Sequence, residues 1–116
     1  MMRPRITRMP GMALVIAVGC GLVTLTPAQA ADAAAGAKLY ASKCRTCHGP
    51  TGEGNPGMAK ALNVTIKPLG SEDVQKKTDA ELKKNTSDGI GKMKGVAGLS
   101  PSDADDLVAY MRSMKK

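Results

Sequence analysis

Five consecutive residues, Cys44–His48, constrain this chain more than any other stretch of its sequence. They read Cys-Arg-Thr-Cys-His, so two thiols are separated by two residues and a histidine follows directly. Thiols at this spacing can add across the two vinyl groups of a haem, and the histidine is then placed to bind the iron. The pentapeptide therefore predicts a covalently attached c-type haem, with Cys44, Cys47 and His48 as the residues that bind it.

A C-x-x-C pair has two other common uses, as a thiol–disulfide redox pair and as half of a zinc site. The redox motif normally lies beside a βαβ pattern, and no stretch of this chain alternates as a strand would. A structural zinc needs four ligands, commonly Cys and His. The chain has one other cysteine, Cys20, and His48 is its sole histidine. Haem attachment is therefore the favoured interpretation.

Residues 1–30 have the pattern of a secretory signal peptide. Three arginines precede an apolar stretch, Gly11–Leu25, and the Ala-Gln-Ala at 28–30 matches a signal-peptidase site. We expect cleavage after this site, a single domain over residues 31–116, and a periplasmic or otherwise extracytoplasmic location. An uncleaved membrane anchor is the alternative that the pattern leaves open.

Loss of this leader lowers the charge of the protein. Three of the 17 Lys and Arg residues lie in the leader, which leaves 14 against 10 Asp and Glu, a net charge of +4 instead of +7. Two ionised haem propionates would reduce it to about +2. The mature chain has no dense basic run and no aromatic platform, so its composition does not favour binding to nucleic acid.

The mature chain is poor in the residues that build a hydrophobic core. Leu, Ile and Val number 12 of the 86 residues that follow the leader, and Phe and Trp are absent. So low a fraction favours disorder in an isolated chain, and small domains commonly need a metal, a disulfide or another staple. A buried haem would supply the missing apolar core, so composition and motif support the same interpretation.

Capping patterns and apolar periodicity predict three helices. The alanine-rich stretch Asp32–Lys43 favours a helix with Asp32 as its N-cap. A capping-box pattern opens Thr78–Asn85, and a second one, with Pro in the first helical position, begins the last helix at Ser100. The buried face predicted for that last helix follows a helical period: Ala104, Leu107, Val108 and Met111.

Two loop-rich segments separate these helices. Gly49–Gly70 is punctuated by Gly and Pro, with one or two helical turns expected at Met58–Leu62. Wrapping one edge of a cofactor would explain so long a loop. Pro56, or a carbonyl near it, is a candidate acceptor for the Nδ1–H of His48, and an ordinary turn at Pro56 is the alternative. In Asp88–Gly95, three glycines around one Met predict a flexible backbone that presents a thioether.

By these features the chain resembles the small class I cytochromes c of bacteria. The resemblance implies an all-α fold in which the N- and C-terminal helices cross near Gly36, Tyr40 and Tyr110. The matching segments are spread over nearly all of residues 32–113: Gly36–Tyr40, Cys44–Gly49, Thr78–Lys94 with Gly91-Lys92-Met93, and Leu107–Met111.

The resemblance also implies a ligand set. Cys44 and Cys47 would form thioether bonds to the haem, His48 would be the proximal ligand of the iron, and Met93 would be the distal ligand. The chain departs from the family pattern after Met93, where the family often has Pro and this sequence has Lys94.

Four methionines follow the leader, at positions 58, 93, 111 and 114. Met58 is only ten residues from His48, so its loop would have to turn sharply around the haem edge. Met111 falls on the apolar face of the last helix, and Met114 is near the chain end. Met93, in a glycine-flanked loop, is the favoured iron ligand. A Met that packs loosely in this loop is the alternative.

Ligation by His and Met leaves no open position on the iron and raises the potential, so it suits electron transfer better than oxygen or peroxide chemistry. No second His and no acid–base constellation indicates an enzyme. We expect a soluble, monomeric one-electron carrier that exchanges electrons with other exported redox proteins. Lysines near the haem-bearing segments are candidates for steering acidic partners: Lys43, Lys60, Lys67, Lys92 and Lys94.

Two other functions stay open at this point. A haem-c subunit of a larger oxidoreductase would share the same sequence features. A haem sensor or weak peroxidase would require Met93 to leave the iron.

Overall fold

The computed structural model describes Gly21 and residues 30–116. The predicted signal peptide therefore lies almost entirely outside the described residues, and its cleavage stays a prediction. None of the described helices is both long enough and apolar enough to cross a membrane. The described elements, in chain order, are α1 (Ala33–Lys43), α2 (Arg45–His48), α3 (Pro56–Leu62), α4 (Glu72–Gln75), α5 (Asp79–Asp88), β1 (Gly89–Ile90), β2 (Met93–Lys94) and α6 (Pro101–Ser113).

Helices α1 and α6 cross at close range. A Cβ on Gly36 would collide with the backbone carbonyl of Asp106 and would lie 3.0 Å from the Cβ of Tyr110. The rings of Tyr40 and Tyr110 pack edge to face, with centroids 5.2 Å apart. The start of α1 is also fastened to α6, because the backbone N–H of Asp32 donates to Oδ1 of Asp106 at 2.7 Å. The predicted crossing of the terminal helices is confirmed.

The hydrophobic core is small and lies where α6 meets α1 and α5. It contains Tyr40, Leu69, Leu82, Leu107, Val108 and Met111. The four residues predicted as the inner face of α6 are all buried, and Leu107 is only 1% exposed. Leu69 joins them from the long segment between α3 and α4, for which the sequence predicted no core residue.

Both predicted capping boxes are formed. The hydroxyls of Thr78 and Ser100 each accept a hydrogen bond from the backbone N–H three residues on. The carboxylates of Glu81 and Asp103 in turn accept from the backbone N–H of Thr78 and Ser100. Helix α5 continues to Asp88, three residues beyond the predicted end. Thr86 supports this extension, since it is 6% exposed and its hydroxyl donates to the Leu82 carbonyl at 2.8 Å.

Three local features differ from the sequence predictions. Residues 89–94 form an antiparallel two-stranded hairpin where a flexible loop was expected; the fold is otherwise all-α over the described residues. Strands of two residues are too short for an alternating pattern to reveal them. Pro56 is the first residue of α3, capped by the side chain of Asn55, and does not form an ordinary turn. The short helices α2 and α4 were not predicted.

Candidate functional site

The two cysteines of the motif belong to the single helical turn α2, with Cys44 as its N-cap and Cys47 within it. Cys44 ends α1, where its N–H donates to the Tyr40 carbonyl at 2.9 Å, and its own carbonyl accepts from His48 N at 3.0 Å. Residues three positions apart are neighbours on a helix surface, so Cys44 and Cys47 project to one side of the turn. Both thiols are free and half-buried. Burial raises the pKa of the Cys44 thiol, and the proximity of Cys47 adds to the effect.

The imidazole of His48 is half-buried at the end of the same turn. Among the described residues its Nδ1 is buried and has no hydrogen-bond partner, so neither Pro56 nor a carbonyl near it, the candidate acceptors, bonds to it. Burial lowers the pKa of His48, because an apolar environment disfavours the charged imidazolium. The neutral imidazole is the form that binds metal ions. Two thiols beside a neutral imidazole with an unpartnered buried nitrogen fit the attachment of a haem.

The backbone carbonyls of the motif and of Gly49 accept hydrogen bonds from residues outside the motif. The Tyr40 hydroxyl donates to the Gly49 carbonyl at 2.5 Å. Gly54 N donates to the His48 carbonyl at 2.7 Å, and Asn55 N donates to the Cys47 carbonyl at 2.9 Å. The Asn55 side chain also donates to the Thr46 carbonyl, at 3.0 Å.

Sequence reasoning missed the contributions of Gly54 and Asn55 to this site. The available signal was Asn55 directly before Pro56, which is the pattern of an N-cap followed by Pro in the first helical position.

Met93 lies in the second strand of the hairpin. Gly89 pairs with Lys94 and Ile90 with Met93 across the two strands. The turn between them has a positive φ at Gly91 only, as in a type II′ hairpin turn. The hairpin therefore gives Met93 a defined register and leaves its side chain half-buried.

The base of the hairpin is fastened to α5. Val96 N donates to the Thr86 carbonyl at 2.9 Å. A Cβ on Gly95 would collide with the Ser87 carbonyl, because the backbone at Gly95 lies in direct contact with the backbone of α5. Glycine is required at this approach.

The remaining methionines of residues 30–116 have other positions. Met111 is 8% exposed and belongs to the core, as predicted. Met114 also packs against the core, and its sulfur lies 2.6 Å from the position of a Cβ added to Gly52. Met58 is half-buried on α3, the helix that follows the motif.

The five lysines named from the sequence differ in their surroundings. Lys67 forms an ion pair of 2.6 Å with Asp73, which also binds Lys76 at 3.1 Å. Lys92 Nζ donates to the carbonyl of Leu62 at 2.7 Å. All five lysines are exposed, and among the described residues Lys43, Lys60 and Lys94 form no ion pair. The positive charge of Lys67 is thus partly compensated on its own surface.

Comparison with known proteins agrees with this fold and this motif. The family model for cytochrome c matches residues 33–115. The chain is 35% identical over 94 residues to cytochrome c-554(547) of Halothiobacillus neapolitanus, covering 74% of this chain and 100% of that protein. It is 36% identical over 93 residues to cytochrome c6 of a Picosynechococcus species, covering 74% of this chain and 76% of that protein.

A solved structure shows the same architecture. The KustC0563 c-type cytochrome matches with a TM-score of 0.60 at 27% identity, over 70% of this chain and 98% of that one. The chain belongs to the cytochrome c family. It is a small class I c-type cytochrome with a covalently bound haem c, and it carries electrons. The zinc and thiol-redox alternatives for the Cys44–His48 motif are thereby set aside.

Proposed function

We propose that this protein is an exported, soluble one-electron carrier, with its haem bonded to Cys44 and Cys47 and its iron ligated by His48 and Met93. The observation that carries the proposal is the α2 turn. It places two half-buried free thiols next to a half-buried histidine, whose pKa is lowered by burial. The hairpin adds a thioether held in a defined register.

Each of these residues has a distinct chemical role. The thiols of Cys44 and Cys47 would hold the haem through thioether bonds to its two vinyl groups, each thiol hydrogen passing to the neighbouring vinyl carbon. His48, whose pKa is lowered by burial, would present a neutral imidazole nitrogen to the iron. Met93 would present a thioether sulfur, a ligand that favours the reduced state. When bound, the haem supplies the one-electron couple.

Ligation by both His48 and Met93 supports a carrier and not an enzyme. If both residues bind the iron, the protein leaves oxygen and peroxide no place to bind there. The haem would then supply one-electron chemistry for exchange with other redox proteins. For steering acidic partners we assign the larger share to the exposed Lys43, Lys60 and Lys94.

Export is supported by the signal-peptide pattern of residues 1–30. Mature protein isolated from a secreting host should begin at Ala31. Intact mass together with N-terminal sequencing tests this expectation, and retention of residues 1–30 on a membrane-bound protein would support the anchor alternative.

The decisive experiment is the absorption spectrum of the purified protein with a pyridine haemochrome assay and acid–organic extraction. Wild-type protein should keep its haem on the polypeptide through extraction. The Cys44→Ala/Cys47→Ala variant should yield no holoprotein, whereas Thr46→Ala, within the same turn, should resemble the wild type. Haem that extracts freely from the wild type would disprove the covalent bonds. Rapid carbon monoxide binding by the ferrous wild type would indicate an open iron position and favour a sensor or peroxidase.

A further inference from the structure

One long-range side-chain hydrogen bond joins the turn of the Met93 hairpin to α3. Lys92 Nζ donates at 2.7 Å to the carbonyl of Leu62, thirty residues earlier in the chain. Leu62 is the last residue of α3, and the final carbonyls of a helix have no partner within it. A lysine that donates to such a carbonyl satisfies it and places a positive charge at the negative end of the helix.

The other end of α3 is fastened to the cysteine–histidine motif. Asn55, the N-cap of α3, bonds to the carbonyls of Thr46 and Cys47 through its side chain and its backbone. Helix α3 has seven residues. One short, rigid element thus has its first end bonded to the α2 turn and its last end bonded to Lys92, the residue directly before Met93.

Within residues 30–116, the bond from Lys92 to Leu62 is the long-range side-chain hydrogen bond that holds the turn of the hairpin. Its base is held by the bond from Val96 to Thr86, but its turn contains Gly91, and Lys94 stands where Pro would stiffen the chain. A two-stranded hairpin is only marginally stable by itself. A thioether is also a weak ligand, so ligation by Met93 would depend on a hairpin backbone that keeps the same position.

We propose that Lys92 is a positioning residue, which clasps the hairpin turn to the end of α3 and so keeps Met93 at the iron. This inference rests on the proposed ligation by Met93. The clasp takes the place of the rigidity that a proline after the methionine would provide, and through α3 it connects the hairpin turn to the cysteine–histidine motif.

The test compares holoproteins that carry Lys92→Leu, Lys92→Arg and Lys94→Leu. Leucine removes the donor and the charge and offers the iron no ligand, whereas arginine keeps a donor and the charge. Lys94→Leu is the matched control, because it removes the same charge from the same hairpin and leaves the bond from Lys92 to Leu62 in place. The readouts are the weak far-red band of oxidised Met-ligated haem during denaturant titration, far-UV circular dichroism, and the carbon monoxide binding rate of the ferrous protein at neutral pH.

In Lys92→Leu the far-red band should disappear at a lower denaturant concentration than the helical signal, and carbon monoxide should bind about threefold to tenfold faster than in the wild type. Lys92→Arg should keep both properties of the wild type, and Lys94→Leu should match the wild type. Equal behaviour of Lys92→Leu and Lys94→Leu would overturn the inference.

The Met93→Ala variant distinguishes failure of the Lys92 clasp from failure of the proposed ligation by Met93. If Met93→Ala keeps the far-red band, Met93 is not the ligand and both proposals fail. If Met93→Ala abolishes the band while Lys92→Leu leaves the band and the carbon monoxide rate unchanged, only the clasp is disproved.

Discussion

The phenolic hydroxyl of Tyr40 donates a hydrogen bond of 2.5 Å to the backbone carbonyl of Gly49, the residue directly after the cysteine–histidine motif. Tyr40 is 2% exposed, and its ring packs against that of Tyr110 on α6. A single side chain therefore connects the crossing of the terminal helices to the turn that carries His48. Burial raises the pKa of Tyr40 from 10.0 to about 12.

This pKa predicts a loss of stability in alkali. The folded protein holds the phenolic proton more tightly than the unfolded chain does, so the contribution of Tyr40 to stability is complete below about pH 10 and is lost as the pH rises through about 12. Tyr40→Phe should lower the free energy of unfolding by roughly 1 kcal/mol at pH 8, because the Gly49 carbonyl loses its donor. It should also lose less stability than the wild type between pH 8 and pH 11.

Guanidinium unfolding at the two pH values measures both effects. Tyr110→Phe is the control, since it keeps the ring pair and the bond from Tyr40 to Gly49. The interpretation is wrong if Tyr40→Phe loses as much stability between the two pH values as the wild type does.

The crossing of α1 and α6 predicts that Gly36 tolerates no side chain. Gly36→Val would push a branched side chain into the Asp106 carbonyl and the Cβ of Tyr110. Overpacking of this kind typically costs roughly 1–3 kcal/mol, which should appear as a lower melting temperature. Ala34→Val places the same side chain on an exposed position of α1 and should cost less than about 0.7 kcal/mol. Equal melting temperatures for the two variants would contradict the close approach seen here.

Removal of the haem should unfold the protein. The core consists of six buried side chains, and the Nδ1 of His48 is buried without a partner among the described residues. So small a core offers little free energy against the entropy of the chain. Apoprotein made without haem attachment should show a largely unfolded circular dichroism spectrum. A cooperative thermal transition close to that of the holoprotein would show that the polypeptide folds by itself.

Loss of the Met93 thioether should change the redox properties of the protein. Met93→Ala should lower the reduction potential, abolish the far-red band of the oxidised protein and open the ferrous iron to carbon monoxide. Met58→Ala is the matched control on α3 and should leave all three properties unchanged. Lys92 or Lys94 could bind the iron once Met93 is gone, so the measurement belongs near neutral pH and should be repeated with both lysines changed. A wild-type potential and band in Met93→Ala would assign the ligand to another residue.

Features that depend on neighbouring residues in the chain were predictable from the sequence. Asp32, Thr78 and Ser100 act as N-caps because a side-chain oxygen reaches backbone N–H groups two or three residues away, whatever the rest of the fold does. The buried face of α6 follows from helical periodicity. The spacing of Cys44 and Cys47 likewise defines the haem chemistry by itself.

The short elements depend on contacts between distant parts of the chain. Helix α4 has only four residues and is held by Arg112, which donates to the carbonyls of Gln75 and Lys77 at 2.7 and 2.6 Å. The side chain of Gln75 in turn donates to the carbonyls of Leu69 and Met111. A helix this short is not stable alone, so no local sequence pattern predicts it.

The position of Met93 likewise depends on contacts between distant parts of the chain. The sequence by itself predicted haem attachment at Cys44–His48 and determined that a methionine follows among glycines. Only the tertiary structure turned that glycine-rich segment into a hairpin joined to α5 at its base and to Leu62 at its turn. The reason is physical: glycine leaves the backbone many accessible conformations, and only bonds to residues far along the chain select one of them.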